Sequence, residues 1–250
     1  MNIIETQNLT KAYKNFTAVE DINLHIKKNS IYGFLGPNGA GKSTTIRMLL
    51  GLTAPTKGSF TIKGMNISKN RVKILREIGS LIEAPAFYGN LTGKENLDII
   101  RRILSLPKNS VDDVLELVGL TEFKDRIAKK YSLGMKQRLG LASALIGRPK
   151  IIILDEPTNG LDPVGIHEIR KLIRSLPGKF NCTVLVSSHM LSEIELIADD
   201  IGILNHGLLL FEGSMNNLKQ NAIQKGYNTG NLEEMFISMI NEDNKRRKEK

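Results

Sequence analysis

The chain has no tryptophan, a single cysteine, and aromatic residues at only 5% of its 250 positions. One cysteine rules out an internal disulfide and leaves no cysteine-based zinc site. Cys182 lies in an apolar run typical of a strand, where a lone thiol is more often packed than reactive. The few aromatic residues do not interleave with the basic ones, which argues against a base-stacking surface, so we expect no nucleic-acid partner.

The sequence also lacks a long apolar run. No stretch approaches the roughly 18 residues that a membrane-spanning helix needs. The first residues, MNIIE, have neither the basic nor the apolar region of a signal peptide. We therefore expect a cytoplasmic protein. The hydrophobic share of 41% and the charged share of 24% are ordinary for a globular chain, and this length favours one large core with an attached subdomain.

Nearly half of the net charge of +9 lies at the C-terminal end. Residues 245–250, KRRKEK, carry five basic side chains and one acidic one, which leaves +5 for the first 244 residues. A solvated, disordered tail is the preferred interpretation of this run. Attraction to an anionic membrane surface is the alternative.

The strongest pattern is GPNGAGKSTT at residues 36–45, between a strand-like apolar run and a helical one. Its first eight residues fit G-x-x-x-x-G-K-[ST], in which bare glycines let backbone N–H groups approach phosphate oxygens at a helix N-terminus. The pattern predicts a nucleoside triphosphate site. Lys42 is expected at the β- and γ-phosphates, Ser43 on Mg²⁺, and Thr44 and Thr45 near the α-phosphate. The other loop residues expected to bind are Gly36, Asn38, Gly39 and Gly41.

A second pattern, IIILDEP at residues 151–157, is an apolar run that ends in two carboxylates. Such a run is typical of a parallel strand buried on both faces, and ligands of open α/β sheets gather beyond the carboxyl ends of strands. Asp155 is then predicted to hold Mg²⁺ and Glu156 to orient or deprotonate the attacking water. Taken alone, this strand end could equally be a solvated turn.

With these two patterns, the sequence resembles the ATP-binding-cassette ATPases, because further motifs of that family follow in order. YSLGMKQR at residues 131–138 is similar to the signature segment, Gly160-Leu161-Asp162 to the D-loop, and His189 to the switch histidine. Tyr13, with Val19 nearby, resembles the adenine platform. The resemblance covers residues 1 to about 215 and implies an ATP hydrolase that uses ATP and Mg²⁺.

The family resemblance also implies the fold and the domains. We expect an α/β protein with a P-loop, RecA-like core, an antiparallel β subdomain and an inserted α-helical subdomain. Residues 1–84 and 148–215 would form the core with the β subdomain, residues 85–147 the helical subdomain, and residues 216–250 a C-terminal helix with the basic tail.

Several of these residues have structural alternatives. Tyr13 could be an ordinary half-buried strand residue rather than a platform for adenine. His189 could be a satisfied structural histidine rather than a contact of the γ-phosphate. Ser132 and Gly134 could simply cap and start a helix over residues 135–146, although a helix N-terminus is also an anion site.

In the family, the signature segment is too far from the phosphate loop of its own chain to touch the same nucleotide. The resemblance therefore implies two copies arranged head to tail, each ATP lying between Lys42 of one chain and Ser132 and Gly134 of the other. Asp162 would also line the nucleotide. The sequence contains one phosphate loop and one signature segment, so pairing with a second copy or a similar chain is required.

The chain departs from the family where a glutamine usually joins the core to the helical subdomain. Glu83 stands there; it could reach Mg²⁺ or the lytic water but lacks the amide donor. Together with Leu133-Gly134-Met135 and the run from Pro85 to Thr92, it resembles the bacterial exporter ATPases of lantibiotic immunity and bacitracin resistance. Such a subunit would lie on the inner face of the membrane.

In that family, membrane permease subunits dock near residues 83–91, which here include Phe87 and Tyr88. Both rings could instead belong to the core of the helical subdomain. Two other functions stay open: a soluble ATPase of the same superfamily that acts on nucleic acid or protein assemblies, and a switch that binds ATP without appreciable turnover. The presence of Glu156 argues against the switch.

Overall fold

The computed structural model describes residues 1–83, 85–224 and 232–249. The described chain contains two β-sheets and a set of helices. The strands, in chain order, are β1 (Asn2–Tyr13), β2 (Phe16–Ile22), β3 (His25–Lys27), β4 (Ile31–Leu35), β5 (Lys57–Ile62), β6 (Met65–Asn66), β7 (Ile78–Leu81), β8 (Ile151–Asp155), β9 (Thr183–Ser188), β10 (Asp200–Asn205) and β11 (Leu208–Ser214).

The α-helices are α1 (Lys42–Leu49), α2 (Ile67–Leu75), α3 (Gly93–Ile103), α4 (Ser110–Leu117), α5 (Leu133–Leu145), α6 (Pro163–Phe180), α7 (Leu191–Ile194), α8 (Met215–Gln224) and α9 (Leu232–Lys248). Two short 3-10 turns, Thr121–Phe123 and Ala128–Lys130, separate α4 from α5.

The central sheet has six strands in the order β11-β10-β4-β9-β8-β7. The five strands from β10 to β7 are parallel, and β11 closes the β10 edge as an antiparallel hairpin. Its inner strands are buried on both faces, as the continuous apolar runs predict. In β8, Ile152 and Leu154 pack into a core formed with the helices, while Ile151 and Ile153 pack into a core shared with the second sheet.

The second sheet is antiparallel, in the order β2-β1-β5-β6 with β3 also paired to β1. It covers the same face of the central sheet as α1, with Ile4, Ile62 and Met48 in one apolar cluster. The predicted β subdomain beside the nucleotide-binding sheet is therefore present. The strand Ile31–Leu35 belongs to the central sheet, which places the phosphate loop at that sheet's carboxyl edge.

The segment assigned to the helical subdomain contains α3, α4 and α5 together with the two 3-10 turns. α3 begins with a capping box in which Thr92 and Glu95 satisfy each other's backbone N–H groups. The hydrogen bond from the Thr92 N–H keeps the pKa of the Glu95 carboxyl below its usual value. α5 joins the two regions, because Leu141 and Leu145 pack in the same core as Leu81 of β7.

The C-terminal end differs from the expected disordered tail. α9 continues as far as Lys248, through most of the basic run. The Asn205 side chain at the end of β10 donates hydrogen bonds to Asp243 (2.9 Å) and Asn244 (3.1 Å) of α9. Helical ion pairs hold two of the basic side chains, Arg246 to Glu242 and Arg247 to Asp243. Residues 225–231 of the region expected to form the C-terminal helix and tail, and Lys250 at its end, lie outside the described residues.

Cys182 is fully buried at the start of β9, as a packed thiol should be. Burial raises the pKa of this thiol to about 11. Among the described residues, no helix is both long and apolar enough to cross a membrane.

Candidate functional site

The candidate site forms where three neighbouring parallel strands end. β9 lies between β4 and β8 in the sheet, so the loops that follow these strands emerge side by side. The phosphate loop follows β4, Glu156 follows β8, and His189 follows β9. Ligands of open α/β sheets bind at this edge.

The phosphate loop requires glycine where it enters α1. Gly41 is the N-cap of α1 and has a φ of 107°, in the left-handed region that disfavours other residues. A β-carbon there would also lie 2.5 Å from the Ala18 carbonyl oxygen of β2. The loop therefore packs directly against β2 at the point where it enters α1. At its tip, Asn38 and Gly39 are exposed.

Lys42 points back into the loop. Its Nζ donates to the carbonyl oxygens of Gly36 at 2.6 Å and Pro37 at 3.3 Å, and the side chain is almost fully buried. The same ammonium lies 3.2 Å from Oε1 of Glu156, in an ion pair without hydrogen-bond geometry. Lys42 therefore places one positive charge against the backbone of the loop, an arrangement suited to binding phosphate.

One predicted phosphate contact is wrong. Thr45 is fully buried, and its hydroxyl donates to the Gly41 carbonyl at 3.0 Å within the helix. Its side chain therefore bonds back to the first turn of α1 and is not exposed toward a nucleotide. Ser43 and Thr44, on the preceding positions, are half-buried.

Asp155 and Glu156 are joined to β9 through Ser187. The Ser187 hydroxyl donates to Asp155 Oδ1 at 2.5 Å and accepts from the Glu156 backbone N–H at 2.9 Å. The hydrogen bond from Ser187 orients the Asp155 carboxylate, which is only 2% exposed. Glu156 itself has a φ of 51°, in the left-handed region that is strained for glutamate.

Glu156 stands between a lysine and a histidine. Oε1 faces Lys42, and Oε2 lies 2.8 Å from Nδ1 of His189. An ionised carboxylate can only accept, so the ring N–H at Nδ1 donates. Three groups predicted from separate motifs thus meet in one cluster, in which Glu156 contacts both Lys42 and His189.

The residues predicted to hold Mg²⁺ suit a hard cation. A serine hydroxyl and a buried carboxylate are oxygen donors, and Mg²⁺ takes its other ligands from phosphate oxygens and water. The described residues contain no cluster of three or more histidine, cysteine or acidic side chains able to hold a metal by themselves. Ser43 and Asp155 are consistent with a metal that arrives with the nucleotide.

Tyr13 is exposed at the end of β1 and stacks on Phe16, with ring centroids 5.5 Å apart. Lys11 Nζ lies 5.1 Å from the Tyr13 centroid. The expectation for Val19 is wrong in one respect: its side chain is fully buried beneath the loop, so it supports Gly41 and offers no surface to a base. Phe16, which the sequence analysis did not single out, extends the aromatic surface.

We expect Tyr13→Ala to raise the dissociation constant for ATP about tenfold, because base–aromatic stacking is worth about 1–3 kcal/mol. Tyr13→Phe should bind ATP nearly as the wild type does, because it keeps the ring. Titration calorimetry with ATP measures both constants. Equal affinities for wild type and Tyr13→Ala would contradict the platform role.

The signature residues begin α5. Ser132 is the N-cap of that helix and accepts from the Met135 N–H at 3.2 Å, so the helix starts at Leu133 rather than at the expected Met135. Asp162 likewise caps α6 by accepting from Gly165 N at 2.7 Å. Both helix starts line one cavity of about 540 Å³, with Gly134 and the exposed Leu133 on its wall.

Glu83 does not carry an isolated negative charge. Its carboxylate contacts the guanidinium of Arg47 on α1, the helix that begins at the phosphate loop. Glu83 has a φ of 57° and is exposed. Arg47 was not singled out from sequence, where nothing marks it as a partner of a residue 36 positions away.

Comparison with known proteins finds relatives that are ATP-binding proteins of ABC transporters. Residues 19–159 match the family described as ABC transporter. The chain is 53% identical to the bacitracin transport ATP-binding protein BcrA of Bacillus licheniformis, over 87% of this chain and 72% of that protein. It is 41% identical to the lantibiotic transport ATP-binding protein SrtF of Streptococcus pyogenes, over 95% of this chain and 97% of that protein.

Two solved structures share the fold. An ATP-binding subunit of an ABC transporter superposes with a TM-score of 0.83 at 26% identity, covering 95% of this chain and 99% of the other. A dimeric ATP-binding cassette in a post-hydrolysis state, bound to ADP and phosphate, superposes with a TM-score of 0.78 at 26% identity, covering 85% and 98%. These matches confirm the predicted α/β fold class.

Proposed function

The chain belongs to the ABC transporter family of ATP-binding proteins, and on that premise we propose that it powers an exporter of peptide antibiotics through separate membrane permease chains. It is an ATP hydrolase of that family, as the motifs predict. The single observation that supports the hydrolytic role of its residues is the contact of Glu156 with both Lys42 and His189. The antibiotic class rests on the bacitracin and lantibiotic relatives.

In this proposal, each residue of the cluster has one task. Lys42 neutralises charge on the β- and γ-phosphates, and the loop N–H groups hold their oxygens. Glu156 orients the attacking water and accepts its proton, while His189 holds the Glu156 carboxylate and reaches the γ-phosphate. Ser43 and Asp155 would hold Mg²⁺, with Glu83 as a further candidate oxygen donor, and the metal would supply further charge neutralisation.

We also propose that two copies complete the site. Ser132 and Gly134 begin a helix whose N-terminus can bind an anion, and they lie in a different part of the chain from the phosphate loop. The dimeric solved structure bound to ADP and phosphate supports the pairing of two copies. Closure on ATP would then bring Asp162 and the signature of one copy against the nucleotide of the other.

The permease chains would dock beside Glu83, on a cytoplasmic subunit held at the inner face of the membrane. Tyr88 is 63% exposed, whereas Phe87 is partly buried against the core of the helical subdomain. Tyr88 is therefore the better candidate for a docking contact, and Phe87 fits the alternative of a core residue. In the described part of α9, Arg246 and Arg247 are already paired with acidic side chains of the same helix.

Purification of the chain from its native membrane tests this function directly, by identifying the integral subunits that accompany it. We expect the Tyr88→Ala variant to lose most of these subunits and to keep its own ATP hydrolysis. An exposed aromatic ring can contribute to binding at an interface, and its removal leaves the packing of the core unchanged. Leu196→Ala, which removes an apolar side chain that is also 63% exposed, is the matched control. Nucleic acid or ribosomes in place of permease chains would contradict the proposal.

A further inference from the structure

A buried carboxylate lies next to the site and has no task in the proposed hydrolysis. Glu193 belongs to α7, just after His189, and is 7% exposed. Its Oε2 accepts a hydrogen bond from Thr158 Oγ1 at 2.7 Å and another from Ser188 Oγ at 3.1 Å. Burying a carboxylate costs free energy that its hydrogen bonds must offset, so such a group needs an explanation.

One hydroxyl, of Thr158, lies in the loop that carries Glu156, and the other, of Ser188, ends the strand that leads into His189. Thr158 follows Glu156 by two residues, and Ser188 immediately precedes His189. Glu193 therefore connects the segment after β8 to the end of β9. This connection is additional to the one that Ser187 makes with Asp155.

The anchor of this bridge is rigid. Leu191 and Ile194 of α7 are buried in the helical core on either side of Glu193. Ile194 packs so closely on β4 that a β-carbon at Gly33 would lie 2.1 Å from its Cγ2 atom. The carboxylate is thus fixed to the same strand that leads into the phosphate loop.

We propose that Glu193 is a positioning residue for ATP hydrolysis: it sets the distance between Glu156 and His189 by holding Thr158 and Ser188 together. The inference rests on the roles proposed above for Glu156 and His189. It assigns Glu193 no contact with nucleotide. A misplacement of about 1 Å in such a pair can cost on the order of a hundredfold in rate.

The test is Glu193→Ala, assayed for kcat and KM of ATP hydrolysis. We expect kcat to fall by roughly ten- to a hundredfold with KM little changed, because the carboxylate orients the reacting groups and does not bind ATP. Glu195→Ala is the matched control, since Glu195 lies two residues further on, is exposed and pairs with Lys219 at 3.8 Å. Glu193→Gln keeps an acceptor oxygen for both hydroxyls and should recover most of the lost turnover.

A double-mutant cycle separates positioning from a purely structural role. In a His189→Ala background, Glu193→Ala should cause little further loss, because the distance that it sets no longer matters. Ser188→Ala leaves the carboxylate in place and should also lower kcat, which keeps the test informative if Glu193→Ala does not fold. Equal losses with and without His189, or a kcat for Ser188→Ala equal to that of Glu195→Ala, would overturn the inference.

The Glu156→Gln variant shows which proposal has failed. If Glu156→Gln hydrolyses ATP normally, the proposed roles of the catalytic pair are wrong and the inference about Glu193 falls with them. If Glu156→Gln is inactive while Glu193→Ala and Ser188→Ala keep full kcat, only the inference about Glu193 is wrong.

Discussion

Replacing Glu156 with glutamine is expected to lower ATP hydrolysis by about 10²–10⁴-fold, the usual contribution of a general base. An amide of the same size cannot take the proton of the attacking water. ATP binding should persist, because Lys42 also donates to the carbonyl oxygens of Gly36 and Pro37 and stays in the loop without its ion pair. The variant should therefore accumulate as an ATP-bound dimer.

Phosphate release measures the turnover of Glu156→Gln, and light scattering with and without ATP measures its mass. Glu77→Gln is a matched control, because it makes the same chemical change in an exposed ion pair with Lys63. It should hydrolyse ATP as the wild type does. Unchanged turnover in Glu156→Gln would exclude the proposed base, and a monomeric mass with saturating ATP would contradict the dimer.

The strands and the phosphate loop could be predicted from the sequence because their signals are local. Continuous apolar runs identify β4, β8 and β9, and the glycine pattern identifies the turn that must follow β4. Because carboxyl ends of parallel strands share one edge, the meeting of Lys42, Glu156 and His189 was also expected.

The departures from the predictions have one local cause and two tertiary causes. Thr45 and Thr44 are neighbours in sequence, but helix geometry turns the Thr45 hydroxyl back to Gly41. Val19 is buried because the loop packs on β2. The basic run is helical as far as Lys248, where α9 is held by the contacts of Asp243 and Asn244 with Asn205, about 40 positions earlier in the chain.

No sequence motif distinguishes the two serine hydroxyls that connect the strands at the site, those of Ser187 and Ser188. Ser187 and Ser188 end a buried strand, and a polar pair in that place is also typical of an ordinary strand terminus. Only the structure brings Ser187 to Asp155 and Ser188 to Glu193. Residues that act through such long-range contacts are identified by distance and burial rather than by motif.

We call the proposed ATP site between Lys42 of one copy and Gly134 of the other copy a seam. A dimer with two such seams predicts that two inactive variants restore each other's ATP hydrolysis. Lys42→Ala removes the cation of the phosphate loop. Gly134→Asp places a carboxylate where the signature helix would bind an anion, and it should fold, because a β-carbon at Gly134 meets no neighbour closer than Leu161 Cδ2 at 3.8 Å. Each variant alone should lose nearly all ATP hydrolysis, since in each homodimer both seams carry the defect.

In an equal mixture, half of the randomly formed dimers pair one variant with the other, and each of these has one intact seam. Hydrolysis should then recover to about a quarter of the wild-type rate, the fraction of intact seams in such a mixture. Lys42→Ala mixed with the Lys42→Ala/Gly134→Asp double variant has no intact seam and should stay inactive. Failure to recover in the first mixture, with both variants folded, would mean that each chain hydrolyses ATP without the signature of its twin.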